Sequence, residues 1–348
     1  MWARSCRSAV SALSPRIFGR PPLREPLPPG LYDSRALQVI LDTVLPFFAL
    51  IFCGYAAGRL RVLDEASIAG VNTFVFWFAL PVFLFDLMAT APMAEVLNAP
   101  FAAAYLSAGL AVFALAALSG RALFGLSARE AALIGAAAVL GNTGYMGLPL
   151  ISAVFGDGAA IPMVVGLTLE VTVLIPLTIA IVEAGAGAGK GPLKLTKTVA
   201  GSLARNPLIV GIFCGALVSA TSLDLPTPVL NFTDLLGGTA GPCALFVLGG
   251  TLAGFPVSSG LGAVSFASAL KLLVHPAAMW FATTRVFDVD PLWATVATLG
   301  AALPVAANVF ILARQYDTYL ERTASAILVS TTVSVLTVSA LLAALVPA

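Results

Sequence analysis

Ten long apolar stretches, separated by short polar connections, limit what this chain of 348 residues can fold into. Each is about 20 residues long, the length at which an α-helix crosses the hydrocarbon core of a bilayer. Charged residues make up 10% of the chain, against about a quarter in soluble domains. The pattern predicts an all-α polytopic membrane protein. The predicted spans cover residues 36–58, 66–89, 99–119, 130–154, 160–183, 200–220, 229–253, 262–284, 291–313 and 323–346.

Composition argues against several classes of partner. The formal net charge is +1, and no segment interleaves basic and aromatic residues, so a nucleic-acid partner is not expected. The four cysteines, Cys6, Cys53, Cys214 and Cys243, have no C-x-x-C or Cys/His spacing. The sequence therefore predicts no metal site and no cofactor.

Residues 1–35 differ from the rest of the chain. They are rich in arginine, with a proline cluster at 21–29, and hold no apolar core long enough for a signal peptide. We expect a disordered leader or a start-site artefact, with a transit peptide as a further alternative.

Basic residues predict the orientation of the spans. The loops that follow odd-numbered spans hold almost all the Lys and Arg found after residue 35, whereas the other side holds only Arg285. The odd-numbered loops, including the loop at 184–199, should be cytoplasmic. Both termini are then non-cytoplasmic, in the cell (inner) membrane.

An internal repeat relates the first and sixth spans. Residues 46–54 read PFFALIFCG and residues 207–215 read PLIVGIFCG, with five identities at an offset of 161. Pro81 and Pro242 share this offset in the second and seventh spans. We expect two five-span units, 36–183 and 200–348, that enter the membrane from opposite faces as an inverted repeat. Convergent use of small residues for helix packing is the alternative.

The fourth and ninth spans contain the least helical sequences. Residues 141–150 read GNTGYMGLPL and residues 299–310 read LGAALPVAANVF. We expect Pro149 and Pro304 to break both helices near mid-membrane, where the two breaks cross. Half-helix N-termini would then attract an anion, with Asn142 and Asn308 close by. The alternative is that these residues only kink or pack the helices.

Ionisable residues within predicted spans are costly in lipid and should face protein or water. Glu170, near the middle of its span, either accepts a coupling proton or pairs statically with Lys271. His275 lies four residues after Lys271, on the same helix face, and is either a proton relay or a structural donor. For Asp86 and Asp234, near span ends, we expect a structural role facing water.

These motifs resemble the auxin efflux carrier family, in its short bacterial branch. The matching segments are residues 45–55, 78–81, 141–150, 205–209, 271–276 and 301–308. The resemblance implies ten transmembrane helices in a five-plus-five inverted repeat, with helices four and nine broken and crossing, and with the first, second, sixth and seventh as scaffold. It implies carboxylate substrates, such as auxin for the plant PIN-FORMED carriers and malate or malonate for bacterial relatives.

The predicted site follows from the crossing and this resemblance. Its substrate-binding residues are Asn142, Thr143, Tyr145, Pro149, Pro304 and Asn308. Residues predicted for coupling or support are Asp86, Glu170, Lys271 and His275. The long regulatory loop of many plant members has no counterpart at 184–199, so plant-style loop regulation is not expected.

Together these observations predict a secondary transporter of small organic anions that works by elevator-type alternating access. Protons are a candidate coupling ion, and a homodimer is a candidate assembly. The main alternative is a sodium-coupled symporter of the bile-acid-transporter type. An enzyme is disfavoured because the chain lacks the H-E-x-x-H and G-x-S-x-G motifs and has a single histidine. A receptor is a further alternative, which solute flux would separate from a carrier.

Overall fold

The computed structural model describes residues 45–91, 98–185, 201, 204–221, 223, 225–254 and 260–345. Within these ranges the chain is almost entirely helical, and a single antiparallel bridge joins Gly141 to Val305. The predicted all-α class is therefore confirmed for the described residues. The predicted leader at 1–35 and most of the loop at 184–199 lie outside them.

The helices follow one another along the chain with short connections. We label them α1 (Leu45–Arg59), α2 (Glu65–Ala89), α3 (Ala99–Phe124), α4 (Ala128–Val139), α5 (Thr143–Phe155), α6 (Asp157–Gly185), α7 (Pro207–Thr221), α8 (Thr227–Ala253), α9 (Leu261–Val286), α10 (Pro291–Ala301), α11 (Ala307–Gln315) and α12 (Leu320–Leu345).

Six of these helices are long and apolar enough to cross a membrane, judged by length and composition among the described residues: α2, α3, α6, α8, α9 and α12. The helices α1, α5 and α7 are apolar but shorter. Candidate membrane spans are thus present among the described residues, while the count of ten spans stays a prediction.

Side-chain caps fix where several helices begin. Ser127 and Glu130 form a capping box at the start of α4, and Asn98 accepts a hydrogen bond from the Phe101 amide at the start of α3. Asp64 precedes α2 and accepts from the Ser67 amide at 2.8 Å. The hydrogen bonds from Ser67 lower the pKa of the Asp64 carboxyl.

Four prolines inside the bundle follow a widened, π-helical turn. These turns are Val75–Ala79, Thr143–Gly147, Glu170–Leu174 and Leu270–Val274, and the prolines are Pro81, Pro149, Pro176 and Pro276. Each proline is the second residue of the α-helical segment after its turn. A π-turn changes the register of the backbone hydrogen bonds, so a proline can follow without ending the helix.

This arrangement corrects the expected cause of one break. Pro149 was expected to interrupt the fourth span, but the helix stops earlier, at residues 140–142, and Pro149 lies within α5. In the other interrupted region, Pro304 does lie inside the break, at residues 302–306. The two breaks therefore have different local causes.

Close glycine contacts join α1 to α8 and α7 to α2. A Cβ at Gly54 would overlap the Phe246 carbonyl oxygen, and a Cβ at Gly215 would overlap the Phe85 carbonyl oxygen. The offset of 161 from the sequence relates Gly54 to Gly215 and Phe85 to Phe246. A Cβ at Gly249 of α8 would likewise overlap the Ile51 carbonyl oxygen of α1. We call the α1–α8 and α2–α7 contacts the glycine seams.

Candidate functional site: the crossing of two interrupted helices

The breaks at 140–142 and 302–306 pair with each other, and we call this region the crossing. The Asn142 amide donates to the Pro304 carbonyl at 2.9 Å, and the Ala306 amide donates to the Leu140 carbonyl at 3.0 Å. These two bonds flank the bridge between Gly141 and Val305. Because lipid offers no hydrogen-bond partners, backbone groups freed at helix breaks must be satisfied within the protein, and here they satisfy each other.

Gly141 permits this close approach. A Cβ at this position would lie 2.9 Å from the Gly300 carbonyl oxygen and 3.3 Å from Lys271 Nζ. The first of these distances is shorter than real Cβ contacts, so a larger residue would push the two segments apart. The proximity of the other break therefore explains why the first residue of the GNTG motif, Gly141, is a glycine.

Glu170 lies beside the crossing and is 3% exposed. Its Oε1 accepts a hydrogen bond from the Tyr105 hydroxyl at 2.8 Å. Longer contacts come from the Thr143 hydroxyl, at 3.3 Å and 3.4 Å to the two carboxylate oxygens, and from the Gly141 amide at 3.5 Å. The carboxylate is therefore held mainly by Tyr105, a residue on α3.

Lys271 is completely buried and lies at the C-terminal ends of α4 and α10. Its Nζ donates to the Ala301 carbonyl at 2.8 Å and to the Val139 carbonyl at 3.3 Å. Val139 and Ala301 are the last residues of α4 and α10. Since helix C-termini carry partial negative charge, one ammonium group caps two of them at once.

Static pairing with Lys271 is one of the two roles that the sequence leaves open for Glu170. The Gly141 amide donates to Glu170 Oε1 at 3.5 Å, and a Cβ at Gly141 would lie 3.3 Å from Lys271 Nζ, so both groups lie near this residue. Among the described contacts, no hydrogen bond joins the carboxylate to the ammonium. The static pairing and the coupling-proton role of Glu170 both stay predictions.

Two buried polar atoms at this site have no hydrogen-bond partner among the described residues: Asn142 Nδ2 and His275 Nε2. His275 Nδ1 lies 3.2 Å from Lys271 Nζ. Asn142 Nδ2 is a donor by its chemistry, and a buried donor without a partner indicates where a bound group could accept.

The other predicted substrate residues are distributed along the crossing. Thr143 is buried against Glu170, and Tyr145 donates to Asn72 Oδ1 at 2.8 Å. Pro304 contributes its carbonyl to the crossing. Asn308 lies in the first turn of α11 and Pro149 in α5, and both are partly buried.

Asp86 lies elsewhere. Its Oδ1 accepts a hydrogen bond from Thr233 of α8 at 3.0 Å, and no described contact connects it to the crossing. Asp234, the next residue along α8, is exposed. The structure therefore groups Glu170, Lys271 and His275 at the crossing but does not bring Asp86 to them.

Three polar residues of this region were not predicted from the sequence: Asn72, Tyr105 and Ser330. Ser330 Oγ accepts a hydrogen bond from the Val305 amide at 3.0 Å. Each lies in a largely apolar helix that also holds other polar residues, and none has a recognisable motif around it. In the sequence, such a residue is marked only by its apolar neighbours. The many serines and threonines that bond to their own helix have the same apolar neighbours, so the sequence does not tell the two kinds apart.

An apolar cavity of about 500 Å³ lies between α2, α3, α6 and α7. Its lining includes Met88, Ala102, Val164 and Phe213, and every residue that lines it is uncharged. An anion would lose its hydration there without gaining a charged partner. The crossing is therefore the stronger candidate for an anion site.

The profile of the membrane transport protein family matches residues 39–342. The chain belongs to this family. The match confirms the resemblance to the auxin efflux carriers. Together with the apolar helices it identifies the chain as an integral membrane protein and a transporter.

Three relatives each match over most of this chain, and two of them match over most of their own length. The transporter is 34% identical over 303 residues to the "Putative malonate transporter" of Rhizobium meliloti (strain 1021), covering 87% of this chain and 95% of that protein. It is 26% identical over 311 residues to an uncharacterized transporter of Methanocaldococcus jannaschii, covering 87% and 97%. It is also 26% identical over 327 residues to the lysosomal cholesterol signaling protein of Mus musculus, covering 88% of this chain and 37% of that protein.

Proposed function

We propose that this chain is a secondary transporter of small organic anions, mono- or dicarboxylates of the auxin or malate type, that works by elevator-type alternating access. The observation that carries the proposal is the crossing, with its unpartnered amide donor at Asn142 Nδ2. The name of the Rhizobium relative supports a dicarboxylate among the candidate substrates.

Helix ends give the crossing its preference for anions. The helices α5 and α11 both begin immediately after a break, at Thr143 and Ala307. Their first amides have no intrahelical acceptor and carry partial positive charge. The amide of Asn142 adds a neutral donor, so a carboxylate could be bound without a lysine or arginine in direct contact.

The proposed architecture is a ten-span inverted repeat, with units at 36–183 and 200–348. In it, α4 with α5 and α10 with α11 form the interrupted fourth and ninth spans. Support comes from the glycine seams, which follow the offset of 161, and from the antiparallel pairing of the two breaks. The seam helices α1, α2, α7 and α8 would form the scaffold. The other helices would move, with both termini outside the cytoplasm in the cell membrane.

The sodium-coupled alternative requires oxygen ligands for the ion. The carbonyls of Val139 and Ala301 would be suitable, but both accept hydrogen bonds from Lys271. A sodium ion at that position would have to displace Lys271 Nζ from both carbonyls. We therefore propose transport without sodium, driven by the solute gradient, the membrane potential or protons. Flux that disappears when sodium is replaced by choline would contradict this.

Flux measurements in proteoliposomes test the proposed site. Uptake of labelled malonate and malate should be lost in Asn142→Ala and in Asn308→Ala, while both proteins stay folded. Asn98→Ala is the matched control: it removes the cap of α3, at a cost of about 1 kcal/mol, and leaves the crossing intact. Normal flux in both crossing variants would contradict the assignment.

A thermal-shift screen of the purified protein against mono- and dicarboxylates identifies the substrate class. A ligand that binds only the folded protein raises its apparent stability by mass action, about 2.7 kcal/mol at a hundred times the dissociation constant. The expected result is stabilisation by one group of carboxylates that is weakened in Asn142→Ala. Equal shifts in the wild type and the variant would place the binding elsewhere.

A further inference from the structure

The two breaks differ in the group that holds their central amide. The Val305 amide donates to Ser330 Oγ of α12 at 3.0 Å, while the Ser330 hydroxyl donates to the Ile327 carbonyl at 3.2 Å. Val305 and Ser330 are both 0% exposed. Ser330 is thus oriented by its own helix and presents a lone pair to the break.

Pairing between the breaks leaves this amide without a backbone acceptor. Pro304 and Ala306, on either side of Val305, make the hydrogen bonds to the other segment. In an antiparallel pair, alternate residues direct their amides to opposite edges, so the Val305 amide faces away from Gly141. Ser330 is the acceptor on that edge, and without it a donor would be buried unpaired.

The first break has the same arrangement with a different residue. The Gly141 amide faces Glu170 on α6, the helix that follows the interrupted pair, at 3.5 Å. Ser330 is on α12, the helix that follows the second interrupted pair. In each half, therefore, a side chain of the next long helix is directed at the central amide of the break, and the shorter bond is at the serine.

We infer that Ser330 is a positioning residue of the anion site. By fixing the Val305 amide, it sets the register of residues 302–306 against Leu140 and Asn142. That register determines where α11 begins and where the Asn142 side chain lies. This inference rests on the proposed transport function, since it assigns Ser330 an effect on substrate binding.

Ser334 offers a matched control one turn further along α12. It is also 0% exposed, and its hydroxyl donates to the Thr331 carbonyl of the same helix at 2.8 Å. Ser330→Ala and Ser334→Ala therefore remove equally buried hydroxyls that bond back to their own helix, but only the first leaves the crossing with an unpaired amide. Ser330→Thr keeps an oxygen at the same place.

Substrate dependence of flux tests the assigned role. We expect Ser330→Ala to raise the KM for the transported carboxylate about tenfold, with a smaller change in maximal rate, because a displaced site weakens binding. Ser334→Ala should match the wild type, and Ser330→Thr should recover most of the lost affinity. An unchanged KM in Ser330→Ala, or the same increase in Ser334→Ala, would overturn the inference.

Hydrogen exchange separates this inference from the proposed function. In Ser330→Ala, amide exchange measured by mass spectrometry should accelerate for a peptide covering 303–309 and stay unchanged for one covering 291–299. Unchanged exchange at 303–309 would overturn the role of Ser330 even if flux fell. A wild-type protein that moves no carboxylate would instead contradict the proposed function, and the exchange result would still decide whether Ser330 holds the crossing.

Discussion

The glycine seams and the crossing both bring two backbones together, but they do so by different means. At a seam, the helices are continuous, their backbone groups are satisfied internally, and Gly54 or Gly249 allows direct contact with a carbonyl of the neighbouring helix. At the crossing, the helices stop, and backbone amides and carbonyls bond to each other and to buried side chains. At a seam, the backbone donors bond within their own helix and are not available to a solute. The crossing has donors that a solute could engage.

The comparison predicts that the seams tolerate no added side-chain volume. A Cβ at Gly249 would overlap the Ile51 carbonyl oxygen, and a backbone atom cannot move aside as a flexible side chain can. Overpacking costs about 1–3 kcal/mol, and more where the backbone must shift. We expect Gly249→Ala to lose most of its folded protein, measured by size-exclusion chromatography in detergent.

Gly70→Ala is the control for this prediction. A Cβ at Gly70 of α2 would meet no atom within 4 Å, and alanine is favoured over glycine within a helix. It should give wild-type amounts of folded protein or more. Equal recovery of Gly249→Ala and Gly70→Ala would show that the seams are not rigid contacts.

At the crossing, the largest loss should come from Lys271→Met. It leaves the Val139 and Ala301 carbonyls without their described donor and Glu170 without its opposite charge. Removing one partner of a buried charge pair typically costs about 3–5 kcal/mol. We expect a clear fall in melting temperature, which the double variant Lys271→Met/Glu170→Gln should partly reverse. A double variant that melts below Lys271→Met would show that the two charges do not stabilise each other.

A smaller expected effect concerns the response of flux to pH. The titratable groups facing Glu170 are Tyr105, Lys271 and, through Lys271, His275. If Glu170 binds a coupling proton, Glu170→Gln fixes a neutral group there and should flatten the pH profile of uptake. Glu130→Gln, which changes the carboxylate in the capping box of α4, should keep the wild-type profile. An unaltered profile in Glu170→Gln would leave that carboxylate a structural role.

The crossing could be located from the sequence because its residues are adjacent along the chain. Gly141 and Asn142 stand out within an apolar span, and Pro304 with Asn308 forms a second unusual segment in another span. Such local departures from helix-forming sequence are visible in any single chain. The position of the first break was still misjudged, because a π-turn accommodates Pro149 and the helix ends ahead of it.

The partners of the crossing could not be located in the same way. Tyr105 and Ser330 act across distances of 65 and 25 residues in the chain, and which face of an apolar helix meets the break depends on packing. Lys271 was identified as a costly buried charge, but its role as a cap depends on where α4 and α10 both end. A sequence shows that such a group needs partners without showing which carbonyls provide them.

The smallest predicted effect tests whether a seam helix is coupled to the crossing. Tyr145 of α5 donates to Asn72 of α2 at 2.8 Å, and α2 forms a glycine seam with α7. Tyr145→Phe removes only this hydroxyl, at an expected cost of about 1 kcal/mol. Tyr316→Phe is the control, since its hydroxyl bonds to Glu183 at 3.2 Å and not to the crossing.

A double-mutant cycle decides whether this hydrogen bond couples the two regions. Adding Asn72→Ala to Tyr145→Phe should cost less than the sum of the two single changes, with a coupling of about 0.5–1.5 kcal/mol in the unfolding free energy. Strict additivity would mean that Tyr145 and Asn72 act independently and that α2 meets the crossing through packing alone. In the proposed elevator mechanism the crossing slides past the scaffold, and a coupled pair would have to break in every transport cycle. On that proposal, Tyr145→Phe should alter the rate of uptake while Tyr316→Phe does not.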